Sequence, residues 1–425
     1  MFFTNCTFLL LIIFTLSNNN IKGKAFNIKT GQGHKVIFAL PKRKWGLINK
    51  TPVRVIDIPP YVLTDSISVF KAIKDKSLLR DAIKAESKII EKYSPDVIVN
   101  DFRLSAILTS ANYKLPTFYI TGGAGVPYDS YIPNPGLPKL IHKLALPLTQ
   151  HFIWKIKKKF LSSLVEISHE TGNNYSLKQL ISRMSYIIPE SKDYLPSVNK
   201  SLSTVHTGPI IWDGFSYQNP TWFKTLQRQR KKVVYISFGG TGFDKTKLIQ
   251  LSKKLAQIGY QVIVSCGSIA KISEFPKNKN LFVTNYLDGF TACKKSDVVI
   301  CHGGYGTMIQ AIISGKPVIS IPFNPDQIVH SLRFQELGLG KIIFKPNLEF
   351  YKNLINGNWQ GFEQQAKNVG IESIISALEE IYNNIDKYKK NVSKYEKKIN
   401  YQESTKKAVA NILKALPLIF INLAC

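Results

Sequence analysis

Apolar residues along this chain fall into short β-branched runs that alternate with longer stretches of helical spacing. Asp297-Val298-Val299-Ile300 is the kind of run a strand needs when both its faces are buried, and it empties into His302-Gly303-Gly304-Tyr305-Gly306-Thr307. From Thr307 to Ser314 the spacing is helical, Gly315 sits where a helix C-cap would, and Val318–Ile321 forms the next strand. The same alternation fills the rest of the second half. The run Val233–Gly242 is a strand and its glycine-rich turn, followed by a helix at Lys245–Ile258 and strands at Gln261–Ser265 and Leu281–Thr284. A helix over Ile328–Gly340, a short strand at Lys341–Ile343 and a Lys-rich helical stretch from Ile371 to Leu416 complete it.

The first half repeats the theme less regularly. Phe8–Leu16 reads as a buried first strand and His34–Ala39 as a second, with His34 structural. The strand before Asp101 leads into a helix running through Ala111, and Leu115–Ile120 gives another strand. Gly122–Pro138 is rich in Gly, Pro and Tyr and forms a long loop; Leu140–Ile167 is helical. The pattern predicts an α/β protein of two doubly wound halves.

Composition changes the picture in two ways. A chain of 425 residues has room for two full cores, and a net charge of +29 gives a surface that attracts anions. Nucleic acid, an anionic membrane and a phosphorylated substrate all suit that charge, as does a plain compositional bias toward Lys, Asn and Ile. No nucleic-acid reader motif accompanies it, so no nucleic acid is expected as a partner. Trp154–Phe160 interleaves Lys with aromatics, as a helix resting on anionic lipid would, or as a solvated lysine face would. Five scattered cysteines without a CxxC pair suggest neither a zinc site nor a disulfide framework. The Phe8–Leu16 run has no basic residue before it and is too short to span a bilayer. A secretory signal is therefore not expected, and the expected location is cytoplasmic, with peripheral membrane contact as an option.

Two glycine-rich strand ends carry the candidate chemistry. Glycines let a ligand approach the backbone, and the N–H groups opening a helix favour an anion, so each turn could seat a diphosphate. A Gly-Gly turn between strand and helix is also common where nothing binds.

The whole run Cys301–Asp326 is more specific. It resembles the donor-sugar signature of nucleotide-sugar-dependent glycosyltransferases of the GT-B type, particularly the bacterial macrolide and flavonoid enzymes. The resemblance implies a GT-B fold, with two Rossmann-like domains facing across a cleft. It divides the chain into an acceptor domain over 1–208, a linker over 209–232, a donor domain over 233–400 and a C-terminal helix and tail over 401–425 that packs back on the first domain. It implies that His302, Gly303, Gly304, Gly306 and Thr307 hold the donor diphosphate, together with Ser237, Gly239, Gly240 and Thr241. Asp326 and Gln327 would hold sugar hydroxyls and Tyr286 would meet the base. Gln310 stands where many plant relatives have a Glu for the ribose hydroxyls.

The acceptor side departs from the pattern. Relatives carry a base histidine after the first strand, whereas this chain has Ser17-Asn18-Asn19-Asn20, which places Asn20 or Asn18 there. Asparagine takes up no proton at useful pH. Asp101 matches the carboxylate that orients that histidine, and burial could let it act as base itself; otherwise it caps a helix or pairs with Arg103. The expected chemistry is inverting hexosyl transfer from a nucleotide diphosphate sugar, UDP first, to a hydroxyl of a small hydrophobic or lipid acceptor. Neither metal nor cofactor is expected. The alternatives are a donor-binding homologue with weak or no activity, and a basic membrane- or nucleic-acid-binding protein.

Overall fold

The computed structural model describes residues 10–15, 35–40, 54–58, 76–101, 103–127, 133–134, 138–195, 202–210, 220–224, 226, 232–239, 243–343, 364 and 367–414. These hold two sheets. The first has seven strands in the order β3-β2-β1-β4-β5-β6-β7: β1 (Leu10–Thr15), β2 (Lys35–Leu40), β3 (Arg54–Asp57), β4 (Val97–Asp101), β5 (Thr117–Ile120), β6 (Met184–Ile188) and β7 (Thr204–His206). The second has six in the order β10-β9-β8-β11-β12-β13: β8 (Val233–Ser237), β9 (Gln261–Ser265), β10 (Leu281–Thr284), β11 (Val298–Cys301), β12 (Val318–Ser320) and β13 (Gly340–Ile342). Both orders reverse direction beside their first strand, which is the doubly wound arrangement, and the second sheet is parallel throughout.

The first sheet departs from expectation at β1, which runs antiparallel to both neighbours. Leu10 pairs with Asp101 and Phe14 with Val97, so β1 ends at the edge of the sheet farthest from Asp101. Hydrophobic pattern specifies that a strand is buried and not which way it points.

Eleven helices of six residues or more are described: α1 (Lys76–Tyr93), α2 (Ser105–Asn112), α3 (Lys139–Glu170), α4 (Leu177–Ser182), α5 (Lys245–Gln257), α6 (Gly289–Lys295), α7 (Tyr305–Ile313), α8 (Pro325–Glu336), α9 (Ile371–Asn383), α10 (Ile385–Glu396) and α11 (Tyr401–Leu413). The stretch from Ile371 is thus three helices. The helix expected from Ile328 starts three residues earlier, because Asn324 caps it by accepting from the Gln327 N–H at 2.9 Å and Pro325 supplies a preset φ at N1.

One feature of the first core is costly to build. Arg103 and Glu86, both fully buried, form an ion pair between the β4–α2 turn and α1. Ser105 and Thr109 also donate to the Glu86 carboxylate. The turn is closed by Asn100, whose side chain exchanges two 2.8 Å hydrogen bonds with the Arg103 backbone.

The carboxyl ends of the two sets of parallel strands face one another. After β5, a turn at Gly123–Gly125 meets the start of α8, and a Cβ on Gly122 would lie 3.8 Å from Asp326 Oδ1. After β6, Tyr194 and Leu195 bury themselves in the core of the second sheet, where Phe223 and Leu226 also sit. Arg333 on α8 donates to the Asp193 carbonyl at 3.0 Å and also to the Tyr194 carbonyl. The chain then returns: Ala408 and Ile412 of α11 pack against Val97, Val99, Phe118, Ile120 and Ile187 of the first sheet, and Lys407 Nζ donates to the His206 carbonyl at 2.6 Å.

Candidate functional site

The two glycine-rich strand ends lie side by side. β8 and β11 are neighbours at the point where strand order reverses, with Ser237 paired to Cys301, so Ser237–Gly239 and His302–Gly304 leave the sheet together. Crevices at this position are where open α/β sheets take ligands. Gly239 (φ +63°) would place a Cβ 3.6 Å from His302 Cε1. Gly303 has φ +79°, and a Cβ there would come within 2.3 Å of Ser331 Oγ and 3.0 Å of the Gln327 carbonyl. Only glycine lets this turn pass so close under α8.

His302 is fully buried and neither ring nitrogen has a hydrogen-bond partner. Burial lowers its pKa to about 4, opposed by a looser hydrogen-bonding contact with the Ser237 backbone that falls short of good geometry, so the ring is neutral at physiological pH. A buried neutral imidazole carries one N–H donor, and leaving it unmatched costs about 1–3 kcal/mol. Gly304, at the N-cap of α7, offers no side chain to its first N–H groups, and Gly306 and Thr307 lie in this turn. The arrangement offers an anion one ring N–H and a helix N-terminus.

The remaining candidates take varied places. Asp326, in the first turn of α8, exposes 43% of its side chain. Gln327 is buried and its amide oxygen accepts from the Phe323 N–H at 2.7 Å, which leaves the amine for a ligand. Gln310 lies against the start of α6, where a Cβ on Gly289 would fall 2.1 Å from its Oε1. Tyr286 is 49% exposed in the β10–α6 loop rather than filling the core, and Asp288 caps α6 by accepting from the Thr291 N–H at 2.9 Å. Gly240, Thr241, His34, Asn18 and Asn20 lie outside the described residues.

In the first domain Asp101 ends β4 beside Ile120, two residues from Gly122. Burial raises its carboxyl well above the usual range. It caps no helix, since α2 has no side-chain cap, and Arg103 is given to Glu86. The two bland roles foreseen for Asp101 are therefore corrected. β1 leaves the sheet at the end opposite Asp101, and the segment after it, with Asn18 and Asn20, lies outside the described residues.

A group that the sequence reading missed lies between the domains. Glu190, after β6, and His330, on α8, are both fully buried, with Glu190 Oε1 3.6 Å from His330 Nε2. Nε2 is also 3.6 Å from Asp326 Oδ1. Glu190 Oε2 accepts from the Gly123 N–H at 2.9 Å, and Tyr194 Oη lies 3.1 Å from His330 Nδ1. Burial raises the Glu190 pKa to about 7, opposed by His330 and Gly123. Burial disfavours the His330 imidazolium, yet Asp326 and Glu190 outweigh it and hold His330 above its ordinary value. Tyr305 of α7 closes the cluster, its hydroxyl donating to the Pro189 carbonyl at 2.7 Å. Among the described residues no group of three His, Cys, Asp or Glu side chains is placed to hold a metal ion.

Comparison with known proteins bears on the fold. Residues 233–357 match the glycosyltransferase family 28 C-terminal domain. A PGL/p-HBAD biosynthesis glycosyltransferase of Mycobacterium tuberculosis is 27% identical over 282 residues, covering 62% of this chain and 63% of that one. A PGL/p-HBAD biosynthesis rhamnosyltransferase of Mycobacterium bovis is 26% identical, covering 64% and 61%. The match thus spans less than two thirds of either relative. Among solved structures, the kitacinnamycin glycotransferase superposes with a TM-score of 0.64 at 15% identity over 91% of this chain and 93% of that one. The calicheamicin glycosyltransferase does so with 0.62 at 16% over 91% of each. A Streptomyces sp. SF2575 glycosyltransferase complexed with thymidine diphosphate gives 0.53 at 13%, covering 89% and 90%. The fold is that of the GT-B glycosyltransferases.

Proposed function

We propose that this GT-B protein, with its family 28 type C-terminal domain, transfers a glycosyl group from a nucleotide diphosphate sugar to a hydroxyl of a small hydrophobic or lipid acceptor. UDP is the carrier expected first, a hexosyl group the expected cargo and inversion the expected stereochemistry. The observation that carries the reading is the pair of glycine turns at the β8/β11 switch point, with buried His302 unpartnered between them. In this reading the acceptor oxygen attacks the anomeric carbon from the side opposite the diphosphate. The bond from that carbon to the phosphate oxygen breaks and its electron pair leaves with the nucleoside diphosphate. The α7 N-terminus and the His302 N–H meet the charge that develops there. The proton of the hydroxyl passes to Asp101, whose raised pKa suits a proton acceptor.

A binding and hydrolysis screen with UDP-, TDP- and GDP-sugars tests this on the wild type and on Gly303→Ala. At least one donor should bind and be turned over by the wild type, and its affinity should fall about tenfold or more in Gly303→Ala, where the strained φ costs about 1–3 kcal/mol. If the wild type neither binds nor hydrolyses any of them, the reading fails.

A second reading, donor binding with little transfer, draws on the sequence, which has Asn18 and Asn20 where relatives carry the base histidine. Detectable donor binding without turnover in the same screen would favour it.

The work site is proposed to be an anionic lipid surface, supported by α3. Leu140, Ile141, Leu144 and Leu148 are exposed, Leu144 to 69%, on the side opposite the Leu161, Leu164 and Ile167 face that packs into the core. Lys155 and Lys158, also exposed, continue the same side along the helix. An apolar half followed by a basic half suits an acidic bilayer. No described helix is long and apolar enough to cross one. The protein should float with phosphatidylglycerol vesicles and not with phosphatidylcholine vesicles, and Leu144→Glu with Leu148→Glu should abolish flotation; equal flotation of wild type and variant would refute the contact.

A further inference from the structure

We propose that His330 is a positioning residue that couples the donor-sugar carboxylate Asp326 to the acceptor-side turn at Gly122–Gly125 through Glu190. This rests on the reading of the cleft as a donor and acceptor site.

The argument is one of connectivity and unmet bonding. Asp326 stands at the mouth of the cleft, half exposed, and His330 sits one turn behind it on the same face of α8. Behind His330 lies Glu190, and Glu190 grips the Gly123 N–H with its other oxygen. Three links thus run from the second domain to the first. His330 Nδ1 is occupied by Tyr194 Oη, which fixes the ring, and the Tyr194 ring stacks on it at 5.8 Å and 6°. Tyr305 covers it from α7 at 5.1 Å.

Within this frame His330 Nε2 and Glu190 Oε1 are both buried and both lack a hydrogen bond. Each lies about half an ångström beyond the reach of the other, and Asp326 is equally distant from Nε2. Buried polar groups left this way are costly, and a small approach of the two domains would satisfy them. Donor hydroxyls that draw Asp326 into place would set the Nε2–H bond on one side. Glu190 and the Gly122–Gly125 turn would follow on the other. The groups facing His330 are Asp326 on its own helix, Glu190 and Tyr194 from the segment after β6, and Tyr305 from α7, with Arg333 three residues further along α8. Of these, Glu190, raised to about 7 by burial, and His330, held above its ordinary value, change charge near neutral pH.

Two measurements test the coupling. The first compares UDP with UDP-sugar, or the nucleotide and sugar that the donor screen selects, by calorimetry on wild type and His330→Gln. UDP alone should bind both within twofold, since it meets the His302 turn, whereas the sugar nucleotide should bind His330→Gln at least tenfold more weakly. Equal losses for both ligands, or no loss for either, would overturn the proposal. The second follows the His330 ring by NMR through pH 5 to 9 without any ligand. Its titration should move to lower pH in Asp326→Asn and again in Glu190→Gln. A ring that ignores both substitutions overturns the coupling whatever the donor. Absence of all nucleotide binding in the wild type would strike the donor-site reading instead, while the ring titration still decides whether the three groups are linked.

Discussion

His302→Ala should lower kcat/KM for glycosyl transfer by about 10²–10³-fold, the usual effect of removing one preorganised donor from a developing oxyanion. The expectation follows from geometry. His302 is buried in a turn whose neighbours are glycines and makes no well-formed hydrogen bond there beyond a loose contact with the Ser237 backbone, so its N–H can turn to the leaving diphosphate. Steady-state kinetics with the donor selected by the screen measure the loss. A change under fivefold would show that the diphosphate does not rely on this ring. The same variant carries a pH signature. The folded state holds His302 neutral down to about pH 4, whereas the unfolded chain takes up that proton near 6.5. Below pH 6.5 the unfolded state therefore binds more protons, and the native state loses stability as pH falls toward 4, by about 3 kcal/mol at the limit. Glu190 and Asp101, raised by burial, act in the opposite sense and cost stability as pH rises. The His302 share is isolated by the difference between wild type and His302→Ala: urea midpoints at pH 7 and 4.5 should diverge less in the variant.

Glu86→Ala should destabilise the first domain by about 3–5 kcal/mol, because it removes the buried carboxylate paired with the buried Arg103 guanidinium. Ser105 and Thr109 lose their acceptor at the same time. The β4–α2 turn that they brace is the one that ends β4 at Asp101, so loss of activity should accompany loss of stability. Urea unfolding with an unchanged m-value and a lowered midpoint would establish the effect. A loss below 1 kcal/mol would mean that Arg103 finds water or another carboxylate. Converting both partners to apolar residues of similar volume should be much milder than Glu86→Ala alone.

How far such features can be read from sequence depends on how local they are. The β11–α7–β12 unit was legible because both faces of a central parallel strand are buried, so Val298–Ile300 is uniformly apolar and the glycines mark where the chain turns. The short strands β6 and β7 were not. Met184–Ile188 mixes Ser and Tyr with apolar residues, and three residues at Thr204–His206 carry too little period to recognise. The direction of β1 left no trace in its composition. Arg103, one of the two alternative partners foreseen for Asp101, pairs instead with Glu86 of α1, seventeen residues earlier in the chain. The Glu190–His330 pair illustrates the same limit more strongly: one lone acidic residue and one lone histidine, in different domains, acquire meaning only when the cleft brings them together. By contrast Gly303 advertised itself, since a residue with no side chain in front of a helix has few other reasons to be there.

The return of α11 has a mechanical result. The polypeptide crosses between the two halves twice, once after β7 and once between α10 and α11, and each crossing is pinned on the first sheet, by Thr207 to the Ile188 carbonyl and by Ala408 and Ile412 to the strand faces. A slide of one half past the other would draw Ala408 and Ile412 from the strand faces, and it would also pull Tyr194 and Leu195 out of the second core. The two halves are thus tied from both directions, with Glu190, His330 and Asp326 between the ties.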